Sequence, residues 1–348
     1  MSVTISLLLV GLGNLGRRFC DLLVQKDAWL CRRYGLALRL VGAADSRGAA
    51  YDSQDGLDPA LLAALKRSGG SVADYPVVGQ AGWSALSLVE IAEADVLLDA
   101  SPVHLAQGGE PGLSCIRAAL GRRIHVVTPN KGPLVLAYQE LHALAAAQGV
   151  ALRFDGAVAG GLPALYIGQR DLRGAVVERL EAVPNLVTGY VVDQLADGVS
   201  WDEALATARQ EGVLEADPAW DLDGWDAAAK LVILANAVLE QPSRLEDVSR
   251  VGIGGLSVDE LRAARARGCR YRLLAAAHRT PGGEYQLSVA PTPLPEDHPL
   301  GRLGAKQMGV LFETDIYGTI TALIEEPDPM PSAATMLRDV LDIAMGAG

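Results

Sequence analysis

The chain opens with a short apolar run, Ile5 to Val10, which leads directly into Gly11-Leu12-Gly13-Asn14-Leu15-Gly16 and then into the helical pattern RRFCDLLVQK. This order of strand, glycine-rich turn and helix restricts the fold more than any other feature. The first glycine permits a tight turn, the second lets the backbone approach a bound group, and the third lets the helix pack on the strand. Because helix N–H groups can hold an anion, the segment predicts a dinucleotide site. The alternative is a glycine-rich turn in an unrelated α/β domain.

Further strand-like runs alternate with helical stretches through the first half of the chain: LALRLVGAAD, ADVLLDASP and RIHVVTPN. Such alternation predicts a parallel sheet with helices on both faces. We therefore expect an α/β Rossmann domain that binds NAD(P) over residues 1–150. Asp45 ends the second strand, at the distance where an acid meets the adenosine ribose, and favours NAD. Arg47 could pair with a 2′-phosphate and favours NADP, so these residues leave the choice open.

The second half mixes strand-like and helical runs without a repeat or a low-complexity linker. This order predicts a mixed α+β domain over residues 151–330, with a final helix in 331–348 that packs back on the Rossmann domain. Gly160-Gly161-Leu162-Pro163 would bring backbone close to a ligand and then start a helix.

Composition excludes several classes of protein. The net charge of −12 argues against nucleic acid as a partner and against anionic membrane surfaces. No segment reaches the roughly 18–20 apolar residues of a membrane span. The four cysteines show no CxxC spacing, so we expect neither a metal site nor a disulfide framework. A cytoplasmic protein is the resulting expectation.

The segment from Glu211 to Leu239 combines an acidic cluster with a helix that is apolar at nearly every position. The cluster consists of Glu215, Asp217, Asp221, Asp223 and Asp226. Lys230 lies four residues after Asp226 and therefore on the same helical face. A surface ion pair worth about 0.3–0.5 kcal/mol is one interpretation. The apolar surroundings favour another, in which acid and ammonium converge on a cavity, because an unpaired buried ammonium is very costly.

Lys131 follows the predicted strand HVVT in the sequence TPNKG. Ligands bind at the carboxyl ends of strands in open α/β sheets, which makes Lys131 a candidate site residue. An ordinary exposed loop lysine is the alternative, and the sequence does not decide between them.

Taken together, these segments resemble homoserine dehydrogenase, in the short form that lacks a regulatory ACT domain. The resemblance rests on VGLGNLGR, TPNKG, VAGGLP, DHPLG and, most specifically, EADPAWDLDGWDAAAKL. It covers nearly the whole chain and implies a Rossmann domain followed by a catalytic and dimerisation domain.

The resemblance also implies roles for individual residues. Glu215 would hold the substrate's ammonium group, Asp226 would orient the substrate or its water, and Lys230 would assist proton transfer at the reacting oxygen. Lys131 would be a second catalytic lysine near the same centre. The cofactor-binding candidates are Gly11, Gly13, Asn14, Leu15, Gly16, Asp45, Arg47 and Ser101. The substrate-binding candidates are Glu215, Asp221, Gly161, Asn185, Leu186 and Val187.

The reaction implied by the family is the interconversion of L-homoserine and L-aspartate 4-semialdehyde with NAD or NADP. Negative charge grows on the aldehyde oxygen as hydride arrives, and a nearby ammonium stabilises it. The family further implies a homodimer formed through the sheet of the second domain. A structural monovalent cation bound by backbone carbonyls also occurs in the family.

Two loops depart from the family pattern. The Gly-Thr pair that meets the substrate is replaced by Leu186-Val187, and a glycine-rich loop near the end is replaced by residues 325–330, EEPDPM. Loss of a polar contact can change substrate choice by orders of magnitude. A dehydrogenase acting on a different small amino- or hydroxy-acid aldehyde or alcohol is therefore the first alternative. The second is an NAD(P)-binding protein without turnover.

Overall fold

The structure is a computed structural model that describes residues 2–210 and 218–346. Its strands are β1 (Val3–Val10), β2 (Leu36–Asp45), β3 (Gly48–Tyr51), β4 (Gly79–Ala81), β5 (Val96–Asp99), β6 (His125–Val127), β7 (Leu152–Arg153), β8 (Val177–Val183), β9 (Val248–Arg250), β10 (Cys269–Arg279), β11 (Tyr285–Pro295), β12 (Gln307–Thr314) and β13 (Gly318–Glu325). Its α-helices are α1 (Asn14–Tyr34), α2 (Pro59–Arg67), α3 (Ala85–Ile91), α4 (Gly112–Gly121), α5 (Lys131–Gln148), α6 (Gly156–Ala159), α7 (Ala164–Tyr166), α8 (Leu186–Ala196), α9 (Trp201–Gln210), α10 (Ala219–Leu222), α11 (Trp225–Ala237), α12 (Val258–Ala266) and α13 (Met330–Ala344).

The chain divides into two compact units. The first contains Met1–Gly161 and Asp328–Gly348, and the second contains Leu162–Pro327.

The first unit is built on a seven-stranded sheet with the order β4-β3-β2-β1-β5-β6-β7. Strands β2, β1, β5, β6 and β7 are parallel, whereas β3 and β4 run antiparallel at one edge. The chain moves outward from β1 to β2 and later returns to β5 on the other side of β1. Because ligands bind where the strand order reverses, the carboxyl ends of β1 and β5 are the expected location of a site. The Rossmann prediction is confirmed.

One core cluster of the first unit contains alternate residues of β1 together with residues of α1 and α13. Leu7 and Leu9 of β1 pack with Phe19 of α1, and Met336 and Val340 of α13 belong to the same cluster. The period of the sequence explains these positions, since alternate strand residues and every third or fourth helix residue face inward.

The second unit is built on a six-stranded sheet with the order β13-β12-β8-β10-β11-β9. All its pairs are antiparallel except β11 with β9. Helix α8 follows β8 directly, and both α8 and α11 contact β10. In α11 every residue is buried except Trp225 and Lys230, as expected of a helix that is apolar at nearly every position. The α+β prediction for the second half is confirmed as well.

Within residues 2–210 and 218–346, none of the helices has the length and apolar content that crossing a membrane requires.

Candidate active site

The glycine turn between β1 and α1 is shaped by two glycines that the protein itself requires. Gly11 has φ of +92°, and a Cβ atom there would lie 2.3 Å from the carbonyl oxygen of Ala100. A Cβ at Gly16 would lie 2.1 Å from the carbonyl oxygen of Gly11. Both distances are far below van der Waals contact, so a side chain at either position would displace backbone.

Gly13 differs from its two neighbours in the motif. Its φ of −71° suits any residue, and a Cβ there would have no atom within 4 Å. Folding therefore does not demand glycine at this position. A ligand that approaches the backbone would demand it, which fits the pyrophosphate of a dinucleotide.

The start of α1 is suited to an anion. Gly13 occupies the N-cap position without a side-chain cap, and the first turn contains no acidic residue. The first N–H groups of the helix, including those of Asn14, Leu15 and Gly16, have no partner inside the helix. These donors and the helix dipole favour a phosphate group at this end.

A buried polar network occupies the carboxyl ends of β5 and β6. The fully buried Asp99 accepts hydrogen bonds from the Ser101 N–H (3.1 Å) and the Thr128 hydroxyl (3.1 Å). Asn130 donates to the Ser101 hydroxyl at 3.1 Å. Burial raises the pKa of Asp99, and its hydrogen bonds oppose that rise. The network fixes Ser101 beside the Gly11 turn, since the N–H of Ser101 lies 2.6 Å from where a Gly11 Cβ would be.

Lys131 is the first residue of α5. Its position follows from Asn130, whose side-chain oxygen accepts from the Gly132 N–H at 3.0 Å and caps the helix. Asn130 is held in turn by Ser101. Lys131 therefore directly follows a residue of the hydrogen-bonded network at the carboxyl ends of β5 and β6, which adjoins the glycine turn. Lys131 is only partly exposed.

Asp45 lies at the end of β2, as predicted, but its carboxylate is already engaged. One oxygen accepts from the N–H groups of Arg47 and Gly48 and from the Ser71 hydroxyl. The other accepts from Lys66 Nζ at 2.7 Å and from the Val72 N–H. The guanidinium of Arg47 bonds to the carbonyl of Gly69 at 2.9 Å. These bonds make Asp45 the centre of a local hydrogen-bonded structure.

The environment of Asp45 also sets its pKa. Burial alone would raise it, but the bonds from Lys66, from the Arg47 and Val72 N–H groups and from Ser71 lower it to about 2. A carboxyl whose pKa falls on folding stabilises the protein above its unfolded value of about 4, and this contribution is lost as the pH falls to about 2.

We expect Asp45→Asn to lower the free energy of unfolding by about 2 kcal/mol at pH 7. The difference from the wild type should shrink as the pH falls from 4 towards 2. Urea unfolding at pH 7, 4 and 3 measures it. Asp52→Asn is the matched control, because within the described part of the chain Asp52 accepts only from the Gln54 and Asp55 N–H groups, and an amide oxygen can accept these bonds as well. An equal loss of unfolding free energy in both variants, or a loss that does not depend on pH, would contradict the stabilising role of the ionised Asp45.

In the second unit, the end of β8 brings together four of the predicted residues. Asn185 donates from its side-chain amide to Asp221 and to Asp226, each at 2.7 Å. Lys230 Nζ lies 2.9 Å from the same oxygen of Asp226 and donates to the carbonyl of Pro184 at 2.5 Å. The side chains of Asp226 and Lys230 are only 5% and 13% exposed. The interpretation as a surface ion pair is therefore wrong.

The remaining substrate candidates are distributed differently. Leu186 and Val187 are the first two residues of α8, next to Asn185, and Val187 is buried. The first unit consists of two chain segments, and Gly161 is the last residue of the first segment. Glu215 lies outside the residues that the structure describes.

The two tryptophans of the acidic motif, Trp220 and Trp225, form a stack. Their ring centroids are 5.9 Å apart with an angle of 17° between the planes. The Arg250 guanidinium lies 3.7 Å from the Trp225 centroid. Trp225 is half-buried at the start of α11.

Sequence reasoning missed two groups of residues. Asp99 carries a signal that could have been used, since it is a polar residue at the end of the apolar run VLL. Lys66 and Ser71 carry none, because they reach Asp45 from 21 and 26 residues away.

A surface cavity of about 400 Å³ in the first unit is lined by Arg39, Glu93, Asp95 and Arg122, among others. Asp95 and Ile124 of its lining precede β5 and β6. The cavity therefore lies at the amino ends of the strands, whereas the glycine turn lies at the carboxyl end of β1.

Comparison with known proteins agrees with this geometry. The family model for homoserine dehydrogenase matches residues 163–341. The NAD(+)-dependent homoserine dehydrogenase of Pseudomonas canavaninivorans is 33% identical over 98% of this chain and 96% of its own length. The homoserine dehydrogenase of Methanocaldococcus jannaschii is 30% identical over 97% and 98% of the two chains.

Solved structures give the same result. A homoserine dehydrogenase from Thermoplasma acidophilum matches with a TM-score of 0.84 and 26% identity, over 99% of this chain and 100% of the other. A hyperthermophilic archaeal homoserine dehydrogenase in complex with NADPH matches with a TM-score of 0.84 and 25% identity, over 99% of this chain and 98% of the other. On this evidence the chain belongs to the homoserine dehydrogenase family and is an NAD(P)-dependent oxidoreductase that acts on a CH–OH group.

Proposed function

We propose that this chain interconverts L-homoserine and L-aspartate 4-semialdehyde. The observation that carries the proposal is the arrangement at the end of β8, where Lys230 projects from a buried helix between Asp226 and the Pro184 carbonyl. Such an ammonium, oriented by two oxygens, can stabilise a developing alkoxide or donate a proton to it.

The residues of the second unit would bind and orient the substrate. Lys230 would meet the reacting oxygen, and Asp226 would hold the lysine in position. Asp221, and Glu215 from outside the described residues, would attract the ammonium group of the amino acid. Lys131 of the first unit is proposed as the second catalytic lysine.

The first unit would bind the cofactor through the turn from Gly11 to Gly16 and the start of α1. Bound NAD(P) supplies or accepts the hydride. The open space at Gly13 and the anion-binding end of α1 fit its pyrophosphate. The family also implies a monovalent cation, but no step of the proposal depends on one.

We infer that the enzyme accepts both NAD and NADP. The carboxylate of Asp45 receives five hydrogen bonds from the protein, so little acceptor capacity is left for a ribose hydroxyl. Its charge is matched by Lys66, so it repels a 2′-phosphate less than an unpaired acid would.

A homodimer and a cytoplasmic location complete the proposal. The sheet of the second unit ends in the edge strand β13, where Leu323 is half exposed. A paired edge or covered face would remove this apolar side chain from water.

The proposal is tested by following NAD(P)H absorbance with L-homoserine and with L-aspartate 4-semialdehyde. We expect turnover above about 1 s⁻¹, with kcat/KM for the two cofactors within about tenfold. Turnover of neither substrate, in protein that binds cofactor, would overturn the proposal. A difference of more than about a hundredfold between the kcat/KM values for NAD and NADP would overturn only the inference that both cofactors are accepted.

A second candidate is a related dehydrogenase for a different small aldehyde or alcohol. The observation that favours it is the placement of Leu186 and Val187 at the first turn of α8, beside Asn185. The double replacement Leu186→Gly with Val187→Thr restores the family's pair. A large gain in homoserine turnover would support a changed substrate, whereas no gain would show that this pair does not set specificity.

A further inference from the structure

Asn185 is buried at the junction of β8 and α8, with 7% of its surface exposed. Its side-chain oxygen accepts from the Thr188 N–H at 3.2 Å and caps the helix. Its amide nitrogen donates to Asp221 and Asp226, each at 2.7 Å. An amide carries two N–H donors, so both are used within the protein and neither remains for a substrate.

The orientation of this amide follows from its partners. The oxygen faces a backbone N–H, and the nitrogen faces two carboxylates. The reversed orientation would set an oxygen against two carboxylates and an N–H against a donor, so the hydrogen-bond network permits only the first.

We propose that Asn185 is a positioning residue that holds Asp221 and Asp226 in place for the substrate and, through Asp226, orients Lys230. The inference rests on the function proposed above. Asn185 and Lys230 converge on the same oxygen of Asp226. A neutral donor between the two acids holds them together without adding charge. Among the described residues, Asp221, Asp226 and Lys230 together carry a formal charge of −1, which suits the ammonium of an amino acid.

Helix capping alone is the competing explanation, and one substitution separates the two roles. Asn185→Asp keeps a good N-cap oxygen, but it replaces the two donors by an oxygen that faces two carboxylates. If Asn185 only caps α8, the variant keeps the cap, and any loss of activity does not depend on pH. If it bridges the acids, the variant separates them and disturbs the position of Lys230.

The expected pH dependence has a definite sign. A carboxyl buried beside two other carboxylates has a raised pKa. Below that pKa it is protonated and donates one hydrogen bond, which partly restores the bridge. We expect kcat/KM for homoserine in Asn185→Asp to be about 100-fold below wild type at pH 8 and to recover about tenfold, relative to wild type, by pH 6.

Asn185→Ser provides the second variant. Serine is a good N-cap but is too short to bridge the acids and introduces no charge. We expect a loss of about tenfold that does not vary with pH relative to wild type. This variant keeps the inference testable if the aspartate variant fails to fold.

A measurement without substrate tests the bridge directly. The sequence contains only four asparagines, Asn14, Asn130, Asn185 and Asn236, so ¹⁵N-asparagine labelling gives four side-chain amide pairs in an NMR spectrum. Loss of one pair in Asn185→Ser assigns it. Both protons of Asn185 should exchange slowly and shift as the acids titrate. Those of Asn236, which donates to the Val232 and Ser243 carbonyls, should not shift with pH.

The outcomes separate the two proposals. Absence of homoserine turnover in the wild type overturns the proposed function, whereas the amide spectrum still decides whether Asn185 bridges the acids. An active wild type with equal, pH-independent losses in both variants overturns the positioning role. Fast exchange of the Asn185 amide, or the absence of any shift with pH, overturns it as well.

Discussion

Replacement of Lys230 by methionine is expected to lower kcat about 1,000-fold, while binding of NAD(P) stays within about twofold of wild type. Methionine has nearly the length of lysine and suits the apolar surroundings of α11, so the change removes the ammonium and little else. The cofactor turn belongs to the first unit and Lys230 to the second, which is why binding should persist. Steady-state kinetics and cofactor titration by NADPH fluorescence measure the two effects.

Two further variants make this result decisive. The single replacement removes the ammonium that lies 2.9 Å from Asp226, and loss of one member of a buried ion pair destabilises a protein. The double variant Asp226→Asn with Lys230→Met removes the charge of Asp226 as well. It should be at least as stable as the Lys230→Met variant and equally inactive. Lys26→Met, at an exposed position of α1, should keep full activity. Recovery of activity in the double variant would contradict a chemical role for Lys230.

Replacement of Gly13 by alanine is expected to weaken NAD(P) binding by about 100-fold or more without changing the unfolding temperature by more than about 2 °C. A Cβ at this position meets no protein atom within 4 Å, and the backbone has an ordinary φ. The added methyl group can therefore clash only with a ligand that approaches the turn. Isothermal titration with NADPH and thermal unfolding measure the two quantities.

Two other glycines serve as controls for this experiment. Gly121→Ala, at another uncrowded position with nothing within 4 Å, should leave cofactor binding unchanged. Gly11→Ala should lower stability and cofactor affinity together, because its Cβ would clash with the Ala100 carbonyl. Tight cofactor binding in Gly13→Ala would show that the pyrophosphate does not lie at this turn.

Local patterns in the sequence were sufficient to predict much of the fold. The glycine turn, the alternation of strands and helices in the first half and the apolar helix containing Lys230 depend on residues close in the chain. Their periods and turn chemistry therefore carry the information. The pairing of Asp226 with Lys230 follows for the same reason, since residues four apart on a helix share a face.

Contacts between distant segments could not be predicted in this way. The sequence placed Asp45 at the end of a strand, but only packing shows that Lys66 and Ser71 occupy its oxygens. The resemblance also implied that Asn185 binds the substrate. Its amide faces Asp221 and Asp226, 36 and 41 residues further along the chain.

The amino-acid sequence by itself determined the Rossmann sheet and the mixed second unit, because short-range periodicity and turn chemistry encode them. Its resemblance to a known family indicated most residues of the site. The tertiary structure decided which of those residues are available to a ligand. That depends on which donors and acceptors the folded chain brings within 3 Å of each other, and no local pattern specifies such long-range pairs.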